Sequence, residues 1–162
     1  MLNLTVEAQG RPAELLLIED NYGDVLLTRE AFGSARVNNR LAVAGDGEEA
    51  LAMLRREGNY ADQPTPDVIL LDLNLPRMDG REVLEAIKTD PNLQRIPVIV
   101  LSSSKAEVDI LKTYDLGANG YIVKPVTFER LQEIVASIET FWFSVVVLPT
   151  TTTSAAEQTR AA

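Results

Sequence analysis

Cysteine and histidine are both absent from this chain of 162 residues. Without cysteine, the chain has no disulfide framework, no thiolate metal site and no thiol nucleophile. Without histidine, it lacks the residue that most often serves as general base or metal ligand, and it cannot act as a phosphohistidine donor. Any chemistry that the chain supports therefore rests on other residue types.

Positive charge and long apolar runs are also scarce. The chain has 15 basic and 24 acidic residues, and its formal net charge of −9 argues against direct nucleic-acid binding, which needs a basic surface. No apolar run approaches the length that spans a bilayer, and residues 1–12 lack the basic start and apolar stretch of a signal peptide. With 46% apolar residues, the sequence predicts one compact cytoplasmic domain with a substantial core.

Five short apolar runs alternate with segments of helical periodicity. Such runs, bounded by turn-forming residues, are typical of parallel strands that are buried on both faces. Strands that alternate with helices imply right-handed crossovers and a sheet covered by helices on both sides. The sequence therefore predicts a doubly wound α/β domain. Its predicted strands are residues 15–18, 41–44, 68–71, 98–101 and 121–123.

Acidic residues directly follow two of these predicted strands. Glu19 and Asp20 come after the first strand, and Asp72 comes after the third. Because ligands of open parallel sheets bind beyond the carboxyl ends of the strands, three carboxylates would crowd one crevice. They cannot all ionise cheaply unless a cation joins them or one of them takes a proton. We expect a hard, oxygen-liganded cation such as Mg²⁺ at this point.

A second interpretation of the first strand end is that Asp20, Asn21 and Asp24 merely cap the helix that follows. The carboxylate at the end of a second strand favours the ion site over this capping role. Two further strand ends agree with the site, because Ser102 and Lys124 follow the fourth and fifth runs. Alone, a serine there usually forms a turn and a lysine is usually solvated. Together they add a hydroxyl and a cation to the same edge.

As a set, these residues resemble the signature of the receiver domain of two-component response regulators. The resemblance covers residues 14–138 in order, with no missing element. It implies a flavodoxin-like sheet of strand order 2-1-3-4-5 and a phosphoryl group accepted on Asp72 from a histidine kinase. The residues that carry it are Glu19-Asp20, Asp72, Asn74-Leu75-Pro76, Met78-Asp79-Gly80, Ser102, Gly117-Ala118, Tyr121 and Lys124-Pro125.

The resemblance also implies a role for each residue at the metal. Asp72 is the nucleophile that becomes an acyl phosphate. Mg²⁺ is held by Asp20, Asp72 and the backbone carbonyl of Asn74, and Glu19 acts through a water molecule. The chain is then a phosphoacceptor with single-turnover transfer and slow self-dephosphorylation, not an enzyme.

The phosphoryl group and the switch involve three more residues. Lys124 and Ser102 bind phosphoryl oxygens, and Tyr121 turns inward as Ser102 moves, although Tyr121 could also be an aromatic that simply packs. Ser102 keeps the hydroxyl of the commoner threonine but not its methyl group. Ser104 and Asn74 lie where the family tunes dephosphorylation, and neither offers a base to position water.

Within the receivers, the chain resembles the small stand-alone regulators that accompany bacterial phytochrome histidine kinases. The segments that carry this likeness are residues 21–30, residues 71–76 and the Phe141-Trp142 pair before the terminal valines. Tyr22 replaces the proline expected after Asn21. A phytochrome-type kinase is the implied partner.

Three other functions match parts of the pattern. A phosphatase of the haloacid dehalogenase class also uses a strand-end Asp, but Asn74 stands where its general acid belongs, and a carboxamide cannot deliver a proton. A flavin-binding module would need a phosphate cradle after the first strand, where Glu19 and Asp20 would repel the phosphate. A DNA-binding regulator would need a helix-turn-helix, for which too few residues follow the last helix.

The last predicted helix carries an apolar stripe from residue 128 to residue 145. A sheet of short strands should not cover so long a helix, so we expect an exposed patch of Phe141, Trp142, Val145 and Val147. Such patches usually mark interfaces, and a symmetric homodimer would bury this one. The alternative is that residues 144–148 fold back on their own domain. The predicted organisation is an N-terminal tail (1–12), a receiver domain with an extended C-terminal helix and apolar extension (13–148) and a disordered tail (149–162).

Overall fold

The computed structural model describes residues 5–124 and 126–149. Residues 1–4, Pro125 and residues 150–162 lie outside the described part. The predicted disordered tail, apart from Pro149, and the proline of the Lys124-Pro125 pair therefore lie outside it. Within the described ranges, no helix combines the length and the apolar composition needed to cross a membrane.

Five parallel strands form one sheet in the order β2-β1-β3-β4-β5, which confirms the predicted flavodoxin-like topology. Each predicted strand is present, and each extends one or two residues beyond its predicted bounds at one end. The elements are β1 (Ala13–Ile18), α1 (Tyr22–Gly33), β2 (Asn39–Ala44), α2 (Gly47–Arg55), β3 (Val68–Asp72), α3 (Gly80–Thr89), β4 (Val98–Ser102), α4 (Glu107–Asp115), β5 (Gly120–Val123) and α5 (Phe128–Ile138).

The core consists of two apolar layers, one on each face of the sheet. Alternate residues of β1 point into opposite layers, so Leu16 packs with α2 and α3 while Leu17 packs with α1 and α5. The strands at the centre, β3 and β4, are buried along their whole length. This arrangement leaves the strand ends as the places where polar side chains can gather.

Gly80 fixes the approach of α3 to the loop that follows β3. A Cβ atom at this position would lie 2.4 Å from the Cα of Leu73, and the Gly80 N–H donates to the Leu73 carbonyl at 3.1 Å. Only glycine allows this backbone contact. The contact holds the start of α3 beside the end of β3, where Asp72 lies.

The last helix differs from the predicted single helix of residues 128–145. The α-helix α5 ends at Ile138 and continues as a π-helical turn, Glu139–Phe143. The wider turn accompanies two buried anchors: the Glu139 carboxylate accepts a hydrogen bond from the Val37 N–H, and the Phe143 ring is 1% exposed. The chain then turns at Ser144 and folds back.

The N-terminal stretch is not a free tail over its described part. Val6 is fully buried in the layer that contains α1 and α5, and the Glu7 N–H donates to the Phe143 carbonyl at 2.9 Å. Arg11 binds Asp67 through two hydrogen bonds of 2.7 and 2.8 Å. These contacts join residues far apart in the sequence, so no local pattern indicated them, and the domain bounds stay a prediction.

Candidate phosphoacceptor site

The carboxyl ends of β1 and β3 bring Glu19 and Asp72 to the same edge of the sheet. Ile18 is in register with Leu71, so the two acidic residues follow neighbouring positions of paired strands. The Glu19 N–H donates to the Ala44 carbonyl at 3.0 Å, which extends the ladder by one residue and holds Glu19 inside. Both side chains are almost completely buried, with 2% and 4% of each residue exposed.

Lys124, at the end of β5, binds three carboxylates at once. Its Nζ lies 2.7 Å from Glu19 Oε1, 3.0 Å from Asp72 Oδ2 and 3.2 Å from Asp24 Oδ2. An ammonium group has three protons to donate, so these three acceptors use its full hydrogen-bonding capacity. The Lys124 ammonium therefore offsets part of the negative charge that the strand ends bring together.

The environment also separates the pKa values of the two buried acids. Burial, together with the neighbouring Asp72, raises the pKa of Glu19 to about 8. Burial alone would raise the pKa of Asp72 as well, but hydrogen bonds with Glu19, the Asn74 N–H and Lys124 lower it below its ordinary value. Asp72 is therefore the ionised member of the pair at neutral pH, as a carboxylate nucleophile must be.

The pKa of Lys124 lies above its ordinary range. Burial by itself would lower it, but hydrogen bonds and charge from Glu19 and Asp72 outweigh the burial. Lys124 therefore remains charged throughout the physiological pH range.

Glu19, Asp20 and Asp72 form a cluster in which one carboxylate oxygen from each residue lies within 4.8 Å of the other two. Glu19 and Asp72 are buried, whereas Asp20 is exposed at the mouth of the crevice. A set of hard oxygen donors with one solvent-facing member suits a divalent cation such as Mg²⁺, which keeps part of its water shell. The donor set present here fits the predicted metal.

The loop after β3 lies directly against Asp72. The Asn74 N–H donates to Asp72 Oδ1 at 2.9 Å, so the two oxygens of Asp72 have different partners. Further along the same loop, Arg77 has a φ of 65° and its guanidinium contacts Asp46 at 2.6 Å. Asp46 also caps α2 through the Glu49 N–H. The loop that carries Asn74 is thus tied to the end of β2.

Ser102 and Tyr121 lie on the neighbouring strands β4 and β5. Ser102 is 2% exposed, and its carbonyl accepts the Lys124 N–H at 2.8 Å, which holds these two residues side by side. Its hydroxyl accepts from the Ser104 N–H at 3.2 Å. The Tyr121 ring packs against the core, and its hydroxyl donates to the Ser104 carbonyl at 2.9 Å. Tyr121 is thus half-buried between the core and the loop after β4, and its role as a switch stays a prediction.

The predicted surface patch lies away from this crevice. Phe141, Val145 and Val147 are 53%, 62% and 54% exposed, and Trp142 is half-buried with its ring edge-to-face on Phe141 at 5.3 Å. Leu148, in contrast, is buried among the residues of α1 and α5. Both sequence alternatives therefore hold in part, since the chain does fold back but leaves the patch exposed.

Sequence reasoning missed the contact of Asp24 with Lys124. It considered Asp24 only as a helix-capping residue. Asn21 is the cap, since its side chain accepts the Asp24 N–H at 3.0 Å, and the Asp24 carboxylate is thereby free to contact Lys124. The available signal was the position of Asp24 in the first turn of α1, which starts at the edge where Glu19 lies.

Comparison with known proteins agrees with this geometry. The chain matches the family described as the response regulator receiver domain over residues 15–136. Response regulator Rcp1 of Synechocystis sp. is 43% identical over 138 residues, which cover 85% of this chain and 94% of Rcp1.

Solved structures give the same result. The phosphorylated cyanobacterial phytochrome response regulator RcpA has a TM-score of 0.80 at 49% identity, covering 86% of this chain and 100% of RcpA. The Mn²⁺-bound form of Rcp1 has a TM-score of 0.78 at 42% identity, with 86% and 100% of the two chains covered. This chain belongs to the response regulator receiver domain family and is a two-component response regulator related to those of phytochrome systems.

Proposed function

We propose that this chain accepts a phosphoryl group from a histidine kinase on Asp72 and signals through protein–protein contacts. The observation that carries the proposal is the environment of Asp72, a buried and ionised carboxylate at a strand end with Lys124 Nζ 3.0 Å away. A buried nucleophile with a cation beside it is what an incoming phosphoryl anion requires. The likeness to phosphorylated RcpA supports the same role.

The transfer uses groups that this chain provides. A carboxylate oxygen of Asp72 forms a bond to phosphorus as the phosphorus–nitrogen bond of the donor phosphohistidine breaks, and the imidazole leaves with the electron pair and takes up a proton. Lys124 redirects an N–H to a phosphoryl oxygen, and the Ser102 hydroxyl donates to another. The Asn74 N–H keeps Asp72 Oδ1 oriented during the attack.

Mg²⁺ is the proposed cofactor, held by Asp20, Asp72 and the backbone carbonyl of Asn74, with Glu19 acting through a water molecule. When bound, the cation neutralises charge between the phosphoryl group and the carboxylates. The solved Mn²⁺ form of Rcp1 supports a divalent ion for this chain.

The phosphorylated state is proposed to be long-lived, with a single transfer and no turnover of substrate. Loss of the phosphoryl group is faster when a nearby base aligns the attacking water molecule. Ser104 and Asn74 provide none, since the Ser104 hydroxyl binds Asp109 at 2.7 Å and the Asn74 amide lies 3.4 Å from Ser103. Slow self-dephosphorylation follows.

The proposed switch runs from Ser102 to α4. A phosphoryl group that draws the Ser102 hydroxyl towards Asp72 would pull on the Ser104 N–H, and Ser104 contacts both the Tyr121 hydroxyl and Asp109 of α4. One loop therefore links the phosphoacceptor to the surface of α4 and β5. The kinase is proposed to be of the phytochrome type, because RcpA is described as a phytochrome response regulator.

The output surface is proposed to be a homodimer interface centred on Phe141, Trp142, Val145 and Val147. Aromatic anchors such as the exposed Phe141 and the half-buried Trp142 are typical of the centres of interfaces. A cleft of about 530 Å³ between α4, β5 and α5, lined by Tyr121 and Trp142, adjoins the patch. The switch and the patch thus meet at one surface, where a symmetric partner would bury both copies.

Analytical ultracentrifugation tests the dimer, with and without a phosphoryl mimic. The double variant Phe141→Ala/Trp142→Ala should be monomeric where the wild type dimerises. Tyr22→Ala is the matched control, because Tyr22 is 76% exposed on α1. A wild type that remains monomeric in both states would refute the dimer.

Labelling with acetyl phosphate and Mg²⁺, followed by intact mass, tests the phosphoacceptor. Asp72→Asn should remove the label because the amide is not a nucleophile of comparable strength. Asp62→Asn, an exposed acid away from the crevice, should label as the wild type does. Equal labelling of Asp72→Asn would refute the assignment.

A further inference from the structure

Among the described residues, Asp24 is the one hydrogen-bonding partner of the Lys124 ammonium that lies outside the acidic cluster. The three carboxylates around Lys124 Nζ are those of Glu19, Asp72 and Asp24, and only the first two belong to the group that fits a cation. The Asp24 side chain is 46% exposed, against 1% for Glu19 and 5% for Asp72. Asp24 therefore lies at the rim of the crevice, on the solvent side of the ammonium.

The hydrogen-bonding capacity of Lys124 makes Asp24 a competitor. All three ammonium protons have carboxylate partners, so Lys124 can bind a phosphoryl oxygen only if it gives up or shares one of them. The contact with Asp24 is the longest of the three, at 3.2 Å. Of the three carboxylates, that of Asp24 is the exposed one, so it is readily hydrated once the contact breaks. The hydrogen bond to Asp24 is therefore the one that breaks when Lys124 binds a phosphoryl oxygen.

We propose that Asp24 is a positioning residue that holds Lys124 at the mouth of the crevice and so lowers the reactivity of Asp72 towards small anionic phosphodonors. Its carboxylate has two effects of the same sign: it occupies an N–H that the phosphoryl group needs, and it adds negative charge where the donor enters. Both effects act through Lys124 and the local potential. This inference rests on the proposed function.

The fold accounts for the presence of a carboxylate here. Asn21 already caps α1 by accepting the Asp24 N–H, so the Asp24 side chain is not needed as the cap. A carboxylate in the first turn of a helix is stabilised by the helix dipole. The first turn of α1 is therefore a favourable place for the Asp24 carboxylate beside Lys124.

The test is the rate of labelling by acetyl phosphate at saturating Mg²⁺, measured over a range of donor concentrations. Asp24→Asn keeps the size of the side chain and removes its charge, and it should label about two to five times faster at low donor concentration, which is the scale of a half-exposed ion pair. Asp24→Glu restores a carboxylate and should return most of the wild-type rate. Glu30→Gln removes the same charge from an exposed position at the other end of α1 and should change little.

Added salt provides a readout that a purely structural role would not move. The advantage of Asp24→Asn should shrink as salt rises, because screening weakens exposed charges. Equal rates of wild type and Asp24→Asn at low salt, or a difference that salt does not change, would overturn the inference. A wild type that is not labelled on Asp72 at all would instead refute the proposed function, so the two failures are distinguishable.

Discussion

The crevice at the strand ends and the surface at the end of α5 both depart from the usual pattern of apolar residues inside and charged residues outside. In the crevice, charged groups are buried, and Glu19, Asp72 and Lys124 satisfy one another. At the end of α5, apolar groups such as Phe141 and Val145 are exposed. Buried charges are costly unless paired, and exposed apolar patches are rare on monomers. The first region therefore fits a small charged ligand and the second a protein surface.

Removing the cation from the crevice should give the largest effect on stability. Lys124→Ala removes the ammonium partner of the buried, ionised Asp72 and of the buried Glu19, and we expect a loss of about 3 kcal/mol in the free energy of unfolding. Urea unfolding of the metal-free protein measures it. Mg²⁺ binding should persist, while phosphorylation should no longer change the protein's shape.

Lys105→Ala is the matched control, since Lys105 is an exposed lysine in the loop after β4. Its loss should have little effect on unfolding. If both lysine variants have the same free energy of unfolding, the contacts of Lys124 with its carboxylate partners do not stabilise the crevice.

The stability of the metal-free protein should also depend on pH. Burial raises the pKa of Glu19 from 4.5 to about 8, so the folded state binds a proton that the unfolded state releases. The stabilisation is therefore complete below pH 4.5 and is lost as the pH rises to about 8. Melting temperatures in EDTA across this range should fall for the wild type, and Glu19→Gln should flatten the decline. If the melting temperature of Glu19→Gln falls with pH as steeply as that of the wild type, the pH dependence comes from other groups.

The smallest effect should come from the exposed residues of the C-terminal stretch. Val147→Ala should change the unfolding free energy of the monomer by less than about 0.5 kcal/mol, because Val147 is exposed. The neighbouring Leu148→Ala removes a buried side chain and should cost about 2 kcal/mol or more. Chemical denaturation of the two variants measures whether neighbouring side chains in this stretch alternate between exposed and buried positions. Equal losses would show that Val147 is also buried.

The sequence predicted the crevice better than the C-terminal end for a physical reason. Glu19, Asp72 and Lys124 each follow an apolar strand directly, and parallel strands bring their ends together whatever the loops do. The π-helical turn depends instead on Glu139 meeting the Val37 N–H, a contact across most of the chain that no local pattern encodes. The burial of Val6 has the same origin. The contact of Asp24 with Lys124 was missed because an acidic residue in a first helical turn already has a sufficient local explanation.

The most direct test of the central claim is to locate the phosphoryl group after transfer from a phosphorylated histidine kinase of the phytochrome type. Borohydride reduction converts an acyl phosphate on an aspartate to homoserine, which peptide mass spectrometry can assign to one position. The account predicts homoserine at residue 72 alone, and no homoserine in protein that was not incubated with the phosphorylated kinase. Homoserine at residue 20 or 24, or a stable phosphate on a serine such as Ser102 with residue 72 unmodified, would contradict it.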